Sequence, residues 1–247
     1  MERYARQIPL LGLDGQARLG KSSIAVIGLG GLGSIASMYL AGAGVGRLVL
    51  VDFDSVSVSD LHRQLLYTSS DLGKPKVDAA AKRLSDINPE VKVDAVNRAI
   101  MDQDDAEEVV KEVDVLVLAV DNWRTRQLIN VSAVRHGKPI SHGAINGWMG
   151  TATTVIPGIT PCIRELSGLG VGDEGIACLA GDCSSVMGPV AGVIASIQSS
   201  EAIRVAAGLR PALLNKLLVV DLNNGVVDYV ELQRDPKCPV CGVERGP

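Results

Sequence analysis

VIGLGGLGS, residues 26–34, passes from an apolar run directly into a glycine cluster. The cluster fits the pattern G-x-G-x-x-G through Gly28, Gly30 and Gly33. Glycines permit a sharp turn and let backbone amides approach a phosphate, and the N-terminus of the helix that follows favours negative charge. The next apolar run, RLVLVDFD at residues 47–54, ends at Asp52, where a carboxylate can accept hydrogen bonds from ribose hydroxyls. The stretch predicts a nucleotide-binding turn; the alternative is a tight strand–helix turn without a ligand.

The composition limits the classes of protein to which the chain can belong. Its 247 residues suffice for one large α/β domain or two small ones, and 47% of them are hydrophobic. The formal net charge of −4 gives no indication of a nucleic-acid partner. No apolar run approaches the roughly 18 residues of a membrane span, and MERYARQIPL is too charged for a signal peptide. Five cysteines, an odd number, argue against a secreted disulfide framework, so we expect a soluble cytoplasmic protein without membrane partners.

Strand and helix patterns alternate along the first 145 residues. The run VDVLVLAV has no polar face, which is typical of a central parallel strand. The alternation predicts an α/β fold with a doubly wound, Rossmann-like, mostly parallel sheet. The predicted strands lie at 24–28, 47–52, 91–96, 113–120 and 138–144, and the helices at 3–19 (broken by LGLDG), 32–43, 76–89 and 123–136.

The second part of the chain has a different character. TATTVI predicts another strand, and residues 157–188 are rich in Gly, Pro, Cys and Asp with little periodicity. A helix is predicted over 190–208, and KLLVVDL and VVDYVEL on either side of NNG predict a hairpin, which makes a C-terminal antiparallel extension. Because no linker separates these pieces, we expect a single domain over 1–247, with the nucleotide-binding part at about 20–145.

The segment after Asp52 distinguishes between candidate nucleotides. It contains Arg63, and then Lys74 and Lys76 at the start of a predicted helix. Cations at a helix N-terminus oppose the helix dipole, so their presence indicates an anion with more charge than the pyrophosphate that a glycine loop already holds. The segment favours a triphosphate over NAD, although for Lys74 a solvated surface position is the simpler interpretation.

Seven motifs together resemble the ubiquitin-activating E1-like adenylyltransferases, in particular the small molybdopterin- and thiamine-pathway activators. They run in family order over essentially the whole chain and are far more specific than the glycine loop alone. The motifs are RYARQI at 3–8, GLGGLGS at 28–34, VDFDSVSVSDLHRQ at 51–64, GKPKV at 73–77, DN at 121–122, GPVAGVIASIQSSEAI at 188–203 and CPVC at 238–241.

The resemblance implies that ATP and the C-terminal glycine carboxylate of a ubiquitin-like sulfur carrier ending in Gly-Gly form an acyl-adenylate and pyrophosphate. Such a reaction requires two anions to be placed together, which demands cations and Mg²⁺. The resemblance implies that Asp121 helps to hold Mg²⁺, and that Arg6 enters the ATP site of the partner subunit in a homodimer. It places carrier binding and a crossover loop at about 146–247. The nucleotide contacts that it implies are Gly28, Gly30, Gly31, Gly33, Asp52, Asp54, Arg63, Lys76 and Asp121.

The chain departs from the family pattern at Asp60, where the common residue is asparagine. An additional carboxylate beside a triphosphate is repulsive unless it is paired or bound to metal. We expect Asp60 to lie near the metal and the neighbouring His62 to have a structural role.

A second departure concerns cysteines. The family usually carries two C-x-x-C pairs that form a closed zinc site, but here CIRE replaces the first pair, so Cys162, Cys238 and Cys241 are accompanied by Glu165. Three thiolates with a carboxylate are unusual for structural zinc; Cys178 is an alternative fourth ligand, and loss of the site is a further alternative.

Several relatives have a reactive cysteine just before the helix that begins GP, at a position that corresponds to Gly181. Cys178 and Cys183 lie on either side of it and are candidate thiol nucleophiles, or else buried spectators.

Other functions remain as alternatives. An NAD-dependent oxidoreductase accounts for the glycines and Asp52 only. An E1-like activator of a tRNA base or a peptide usually adds basic surface or further segments. A non-catalytic scaffold subunit has no need for Arg6, Arg63, Lys76 and Asp121 together in one chain.

Overall fold

One sheet organises the fold. The structure, a computed structural model, describes residues 2–166 and 185–242. Within these residues its strands are β1 (Ser23–Ile27), β2 (Arg47–Asp52), β3 (Lys92–Asn97), β4 (Val115–Leu118), β5 (Ile140–Asn146), β6 (Met149–Val155), β7 (Lys216–Asp221) and β8 (Val226–Glu231). Their order across the sheet is β3-β2-β1-β4-β5-β6-β7-β8. In this order, the first five strands, β3, β2, β1, β4 and β5, pair in parallel, whereas β6, β7 and β8 each pair antiparallel with the strand before them. This arrangement confirms the predicted fold class.

The described helices are α1 (Ile8–Leu19), α2 (Gly31–Ala43), α3 (Lys76–Ile87), α4 (Gln103–Lys111), α5 (Trp123–His136), α6 (Ile163–Leu166) and α7 (Gly188–Ala206). They agree with the predicted helices in most places. Helix α1 is kinked at Gly12, within the predicted break. Helix α3 ends before Asn88, whose extended backbone is the conformation favoured ahead of a proline.

Helices α4 and α6 were not predicted. Helix α4 is rich in acidic residues, but Asp102 caps it by accepting a hydrogen bond from the backbone N–H of Asp105 at 3.0 Å. It also buries Ala106, Val109 and Val110 against the sheet. Helix α6 is a single turn, too short to have its own periodicity.

Both faces of the inner parallel strands β1, β2 and β4 are buried, which explains their nearly unbroken apolar sequences. In β1, Ile24 and Val26 pack into one hydrophobic cluster with α2, α3 and α7. Ala25 and Ile27 pack into a second cluster with α4 and α5 on the opposite face. Full burial of each valine or isoleucine side chain contributes about 1.5–3 kcal/mol.

The strand order reverses between β1 and β4. From β1 the chain continues outward to β2 and β3, and then returns to the other side of β1 as β4. The helices that follow diverge at this point, which opens a crevice at the carboxyl ends of the strands, where α/β sheets bind ligands.

Two buried polar residues of α7 fix this helix to the sheet. Gln198 donates to the carbonyl of Leu118 at 3.0 Å and to that of Ser141 at 3.2 Å. Glu201 accepts from Thr154 and from the backbone amides of residues 212 and 213. Gln198 thus ties α7 to the carboxyl end of β4 and to the start of β5, and Glu201 ties it to β6 and to the segment before β7. Among the helices of the described residues, none has the length and apolar character that a membrane span requires.

Candidate active site

The glycine loop makes the turn between β1 and α2. Gly28 has a φ of +87°, and a Cβ there would lie 2.8 Å from the carbonyl oxygen of Ala119. A Cβ on Gly33 would overlap the carbonyl of Gly28. Conformation and close packing therefore explain these two glycines. Helix α2 begins at Gly31, so its first amides, which lack intrahelical partners, adjoin the loop.

Side chains hold both polar backbone groups of Leu29, in the middle of this loop. Its N–H donates to Oδ2 of Asp52 at 2.6 Å, and its carbonyl accepts from the hydroxyl of Tyr67 at 3.0 Å. Asp52 also accepts from the backbone N–H of Asp54 at 2.8 Å. Burial raises the pKa of the Asp52 carboxyl, against the opposing effect of these backbone hydrogen bonds. Asp52 therefore positions the glycine loop as well as ending β2.

Asp60 lies at the centre of a hydrogen-bond and ion-pair network in the segment that carries Arg63 and Lys76. It is buried, and its Oδ2 accepts from the backbone N–H of Ser57 at 3.0 Å and from the Ser57 hydroxyl at 2.9 Å. Its Oδ1 accepts from Gln64 at 2.8 Å and pairs with the guanidinium of Arg63 at 3.2 Å. Burial acts to raise the pKa of Asp60, but the Ser57 hydrogen bonds and the charges of Lys76 and Arg63 outweigh it, so the pKa lies below the usual value. The additional carboxylate is thus paired.

The two lysines of this segment lie in different environments. The side chain of Lys76 is 6% exposed, and its Nζ lies 3.0 Å from Oδ2 of Asp54 and 3.9 Å from Oδ2 of Asp60. The side chain of Lys74 is 51% exposed and pairs with Asp71 at 3.1 Å, in agreement with the predicted solvated position. His62 is exposed, and its ring nitrogens lie 2.9 Å from the Ser59 carbonyl and 3.4 Å from that of Val186.

Asp121 follows β4 directly, at the edge of the crevice. It is exposed, and within residues 2–166 and 185–242 its carboxylate has no hydrogen-bond or ion-pair partner. The next residue, Asn122, caps α5 by accepting from the N–H of Thr125 at 2.8 Å. One turn further, the buried Arg126 donates twice to the carbonyl of Val120 and fixes the strand end that carries Asp121.

These groups meet in one cleft of about 570 Å³. Its lining brings together the predicted residues Gly28, Gly30, Gly31, Asp52, Asp54, Arg63, Lys76 and Asp121. Gly33 lies behind the loop, outside this lining. Arg6 is exposed in the turn before α1 and does not line the cleft of its own subunit.

Three supporting residues of the cleft were not predicted. Tyr67 and Gln64 act through hydrogen bonds to Leu29 and Asp60, and Arg126 acts through a backbone carbonyl. A polar residue that contacts backbone or another side chain has no characteristic spacing in sequence. The motif VDFDSVSVSDLHRQ, which ends at Gln64, indicated that this segment is part of the site, but not the role of Gln64 or Tyr67.

A separate cluster lies on the α5 side of the sheet. Ligand atoms of Cys162, Glu165, Cys238 and Cys241 all lie within 4.8 Å of one another. The three cysteines are buried free thiols, and burial raises the pKa of Cys162 and Cys241. The other cysteines of the chain, Cys178 and Cys183, lie outside the described residues together with Gly181, as does most of the irregular stretch 157–188.

The chain is similar in sequence and in fold to known proteins. The model of the ThiF family matches residues 4–240. A sulfur carrier protein adenylyltransferase of Thermus thermophilus is 38% identical over 251 residues, which cover 99% of this chain and 92% of the relative. A molybdopterin-synthase adenylyltransferase of Escherichia coli is 39% identical over 246 residues, 98% of this chain and 96% of the relative. The crystal structure of E. coli MccB with ATP has the same fold, with a TM-score of 0.86, 24% identity and coverage of 97% of this chain and 73% of that one.

The cleft and the fold define a nucleotide-binding enzyme of the E1-like type. The chain belongs to the ThiF family. These matches confirm the family that the motifs indicated, and the relatives' names support the predicted class of enzyme, an adenylyltransferase that uses ATP.

Proposed function

We propose that this chain activates the C-terminal glycine carboxylate of a ubiquitin-like sulfur carrier protein as an acyl-adenylate. A carboxylate oxygen of the carrier attacks the α-phosphorus of ATP, a new P–O bond forms, and the bond to the β-phosphate oxygen breaks to release pyrophosphate. The reaction needs no proton relay; it needs charge stabilisation and alignment.

The observation that carries the proposal is the convergence of Arg63, Lys76 and Asp121 on the cleft that the glycine loop forms. The loop and Asp52 suit the α-phosphate and the ribose. Arg63 and Lys76 suit the departing pyrophosphate, because both cations are held before the substrate arrives. A site for NAD has no use for two additional cations beside the loop.

The charge of the cleft supports a requirement for more cations. Asp52, Asp54, Asp60 and Asp121 line it together with Arg63, Lys76, Arg98 and Arg126, so the lining is formally neutral before ATP brings its charge. Arg98 is also paired outside, with Glu108 at 2.7 Å. Asp121 would hold Mg²⁺, since its carboxylate has no partner among the residues that the structure describes and carboxylate oxygen is the ligand type that Mg²⁺ prefers. Bound Mg²⁺ would neutralise phosphate charge.

We propose that, besides Mg²⁺, the cleft receives one further cation, Arg6 of a partner subunit in a homodimer. Arg6 is exposed and, across the part of the chain that the structure describes, has no ion-pair partner. An apolar groove of about 820 Å³ lies between α2 and α7, and its exposed Leu65 is two residues from Arg63. Leu10 and Leu13 on α1, close to Arg6, are also largely exposed. Apolar surface of this extent is typical of a subunit interface.

The remaining assignments extend this proposal. We place nucleotide binding at about 20–145 and carrier binding at about 146–247, and the reaction in the cytoplasm, where the free thiols of Cys162, Cys238 and Cys241 are stable. These three cysteines would hold Zn²⁺. Cys178 or Cys183 would serve as the thiol nucleophile if a thioester follows adenylation.

ATP–pyrophosphate exchange tests the reaction. The purified protein is assayed with Mg²⁺, with and without a small ubiquitin-like protein ending in Gly-Gly, and with the same carrier lacking its last glycine. We expect exchange only with the complete carrier, and its loss in Arg63→Ala and Asp121→Ala with the fold retained. Absence of exchange with every carrier, together with tight NAD binding, would contradict the proposal. Exchange driven by a free peptide or a tRNA would redirect it to another E1-like activator.

Mixing two inactive variants tests the shared site. In a heterodimer of Arg6→Ala with Asp121→Ala, one site keeps its own Asp121 and receives an intact Arg6 from the partner, while the other site lacks both. Because half of random dimers are mixed, about a quarter of the wild-type exchange should return. If Arg6 acts within its own subunit, no site is intact and the mixture stays inactive.

A further inference from the structure

We propose that Glu165 is the fourth ligand of a Cys₃Glu metal site, together with Cys162, Cys238 and Cys241, and that this site takes Zn²⁺. The glutamate stands where two C-x-x-C pairs would supply a fourth thiolate. The structure nevertheless places its carboxylate among the three sulfurs, within 4.8 Å of each. The carboxylate of Glu165 thus occupies the position of the fourth thiolate ligand.

The distances approach those of a tetrahedral site. Two thiolates at ~2.3 Å from a tetrahedral zinc ion lie about 3.8 Å apart. The sulfurs of Cys162 and Cys238 are 3.8 Å apart. Oε1 of Glu165 is 2.8 Å from the sulfur of Cys241, a hydrogen-bond distance that must lengthen by less than about 1 Å to become an edge of the coordination tetrahedron.

The two oxygens of Glu165 have different partners. Oε2 accepts a hydrogen bond from the backbone N–H of Asp235 at 2.5 Å. Oε1 faces the sulfur of Cys241 and lies 3.2 Å from the backbone N–H of Cys162. Since Oε2 is already anchored, Oε1 is available as a monodentate ligand whose orientation is fixed from behind, as in metal sites with a supporting hydrogen bond.

The backbone brings the ligands together from two places in the sequence. Cys162 directly precedes α6 and Glu165 lies within it, and Cys238 and Cys241 lie on a tight turn in which the N–H of Gly242 donates to the Cys238 carbonyl at 2.8 Å. A Cβ on Gly242 would lie 2.5 Å from that carbonyl, so the turn requires glycine.

The buried Asn130 of α5 supports the α6 side of the cluster. Its Nδ2 donates to the sulfur of Cys162 at 3.4 Å, and its Oδ1 accepts from the N–H of Ile163 at 3.0 Å. The α6 side of the cluster is therefore held against α5 before metal binds.

The mixed ligand set has a chemical consequence. Three thiolates and one carboxylate carry the same formal charge as four thiolates, so the overall charge of a zinc site is unchanged. The carboxylate is a harder ligand, which lowers the preference for soft metals. We therefore expect Glu165→Cys to bind Zn²⁺ more tightly than the wild-type protein. We expect Glu165→Gln to bind Zn²⁺ at least tenfold less tightly, because loss of a group that only supports a ligand already lowers metal affinity by about 10–100-fold.

The experiment measures metal binding directly, so its outcome is independent of adenylation. Zinc content and affinity are determined by elemental analysis and chelator competition for the wild-type protein, Glu165→Gln, Glu165→Cys, Cys178→Ser and the surface control Glu112→Gln. Co²⁺ substitution adds a second measurement, because the intensity of thiolate-to-cobalt charge transfer follows the number of thiolate ligands. Glu165→Gln keeps an oxygen that can accept from Asp235, so the variant should fold.

The expected result is one zinc per chain, unchanged zinc binding in Cys178→Ser and Glu112→Gln, weaker binding in Glu165→Gln, and a charge-transfer band one third stronger in Glu165→Cys. The proposal is overturned by a wild-type protein that binds no stoichiometric metal, by equal affinity of wild type and Glu165→Gln, or by a loss of zinc in Cys178→Ser. The last result would make Cys178 the fourth ligand.

Discussion

Substitution of Lys76 by methionine removes the buried charge of the cleft and keeps the length of the side chain. The ammonium lies 3.0 Å from Asp54, but that carboxylate is half exposed, so the pair is worth at most about 1 kcal/mol. The pair with Asp60 at 3.9 Å is buried on both sides. At an effective dielectric constant near 20 its gross attraction is about 4 kcal/mol, most of which offsets the desolvation of the ammonium.

Because Arg63 continues to neutralise Asp60 in this variant, we expect a net destabilisation of about 1–3 kcal/mol. For a chain of this length that lowers the Tm by about 2–12 °C. Catalysis should fall much further, by about 10²–10³-fold, because a preorganised cation is lost from the developing charge of pyrophosphate. Calorimetry and ATP–pyrophosphate exchange measure the two effects.

Lys74→Met is the matched control, since Lys74 lies two residues away, is exposed and pairs only at the surface with Asp71. It should change the Tm by less than about 2 °C and leave the exchange rate nearly unchanged. If Lys76→Met keeps exchange within tenfold of wild type, or if Lys74→Met is equally impaired, the placement of Lys76 at the phosphates is wrong.

Three further predictions concern the supports of the cleft and the metal cluster. Tyr67→Phe leaves the buried carbonyl of Leu29 without its donor, so we expect a loss of about 1–3 kcal/mol and a higher KM for ATP, whereas the exposed Tyr39→Phe should change neither; denaturant unfolding and exchange kinetics check this. The pKa of Asp60 is lowered by folding, so its contribution to stability is complete above the usual value of 3.8 and lost as the pH falls through the lower folded pKa; the stability difference between wild type and Asp60→Asn, followed by thermal unfolding against pH, should shrink below about pH 4 and persist at neutral pH. Removal of metal by a strong chelator should lower the Tm and increase amide exchange at residues 235–242, and a lack of change in both would exclude a structural metal.

The sequence predicted most of the fold because the inner parallel strands β1, β2 and β4 are buried on both faces. Continuous apolar runs such as VDVLVLAV cannot occupy a surface position, and glycine turns mark where they end. Helix α4 was not predicted because its sequence offers only a capping residue and three apolar residues within an acidic segment. This pattern is weak by itself, and the helix is stabilised by packing those apolar residues in the core. At the start of the short α6, the N–H of Ile163 donates to Asn130, which lies 33 residues earlier in the sequence, so no local pattern indicates this helix.

The candidate site was predictable where a residue type is tied to a turn or a strand end, as for Gly28, Asp52 and Asp121. It was not predictable where one side chain supports another. Tyr67 reaches back across 38 residues to the carbonyl of Leu29, and no local pattern encodes that distance. The same reason explains why Asp60 was expected near a metal: the sequence shows a carboxylate, but not the four groups that surround it.

The environment of Asp60 explains how the site tolerates a residue that differs from the common asparagine. Arg63 and Lys76 would repel each other in an empty cleft if nothing negative lay between them. Asp60 pairs with both, at 3.2 and 3.9 Å, and is itself held by Ser57 and Gln64. The weaker partner of Lys76 is the half-exposed Asp54, which exchanges for a phosphate at little cost. When ATP enters, Lys76 can therefore turn toward the phosphates while Asp60 keeps the cations in place, so the carboxylate preorganises the very charges that it was expected to oppose.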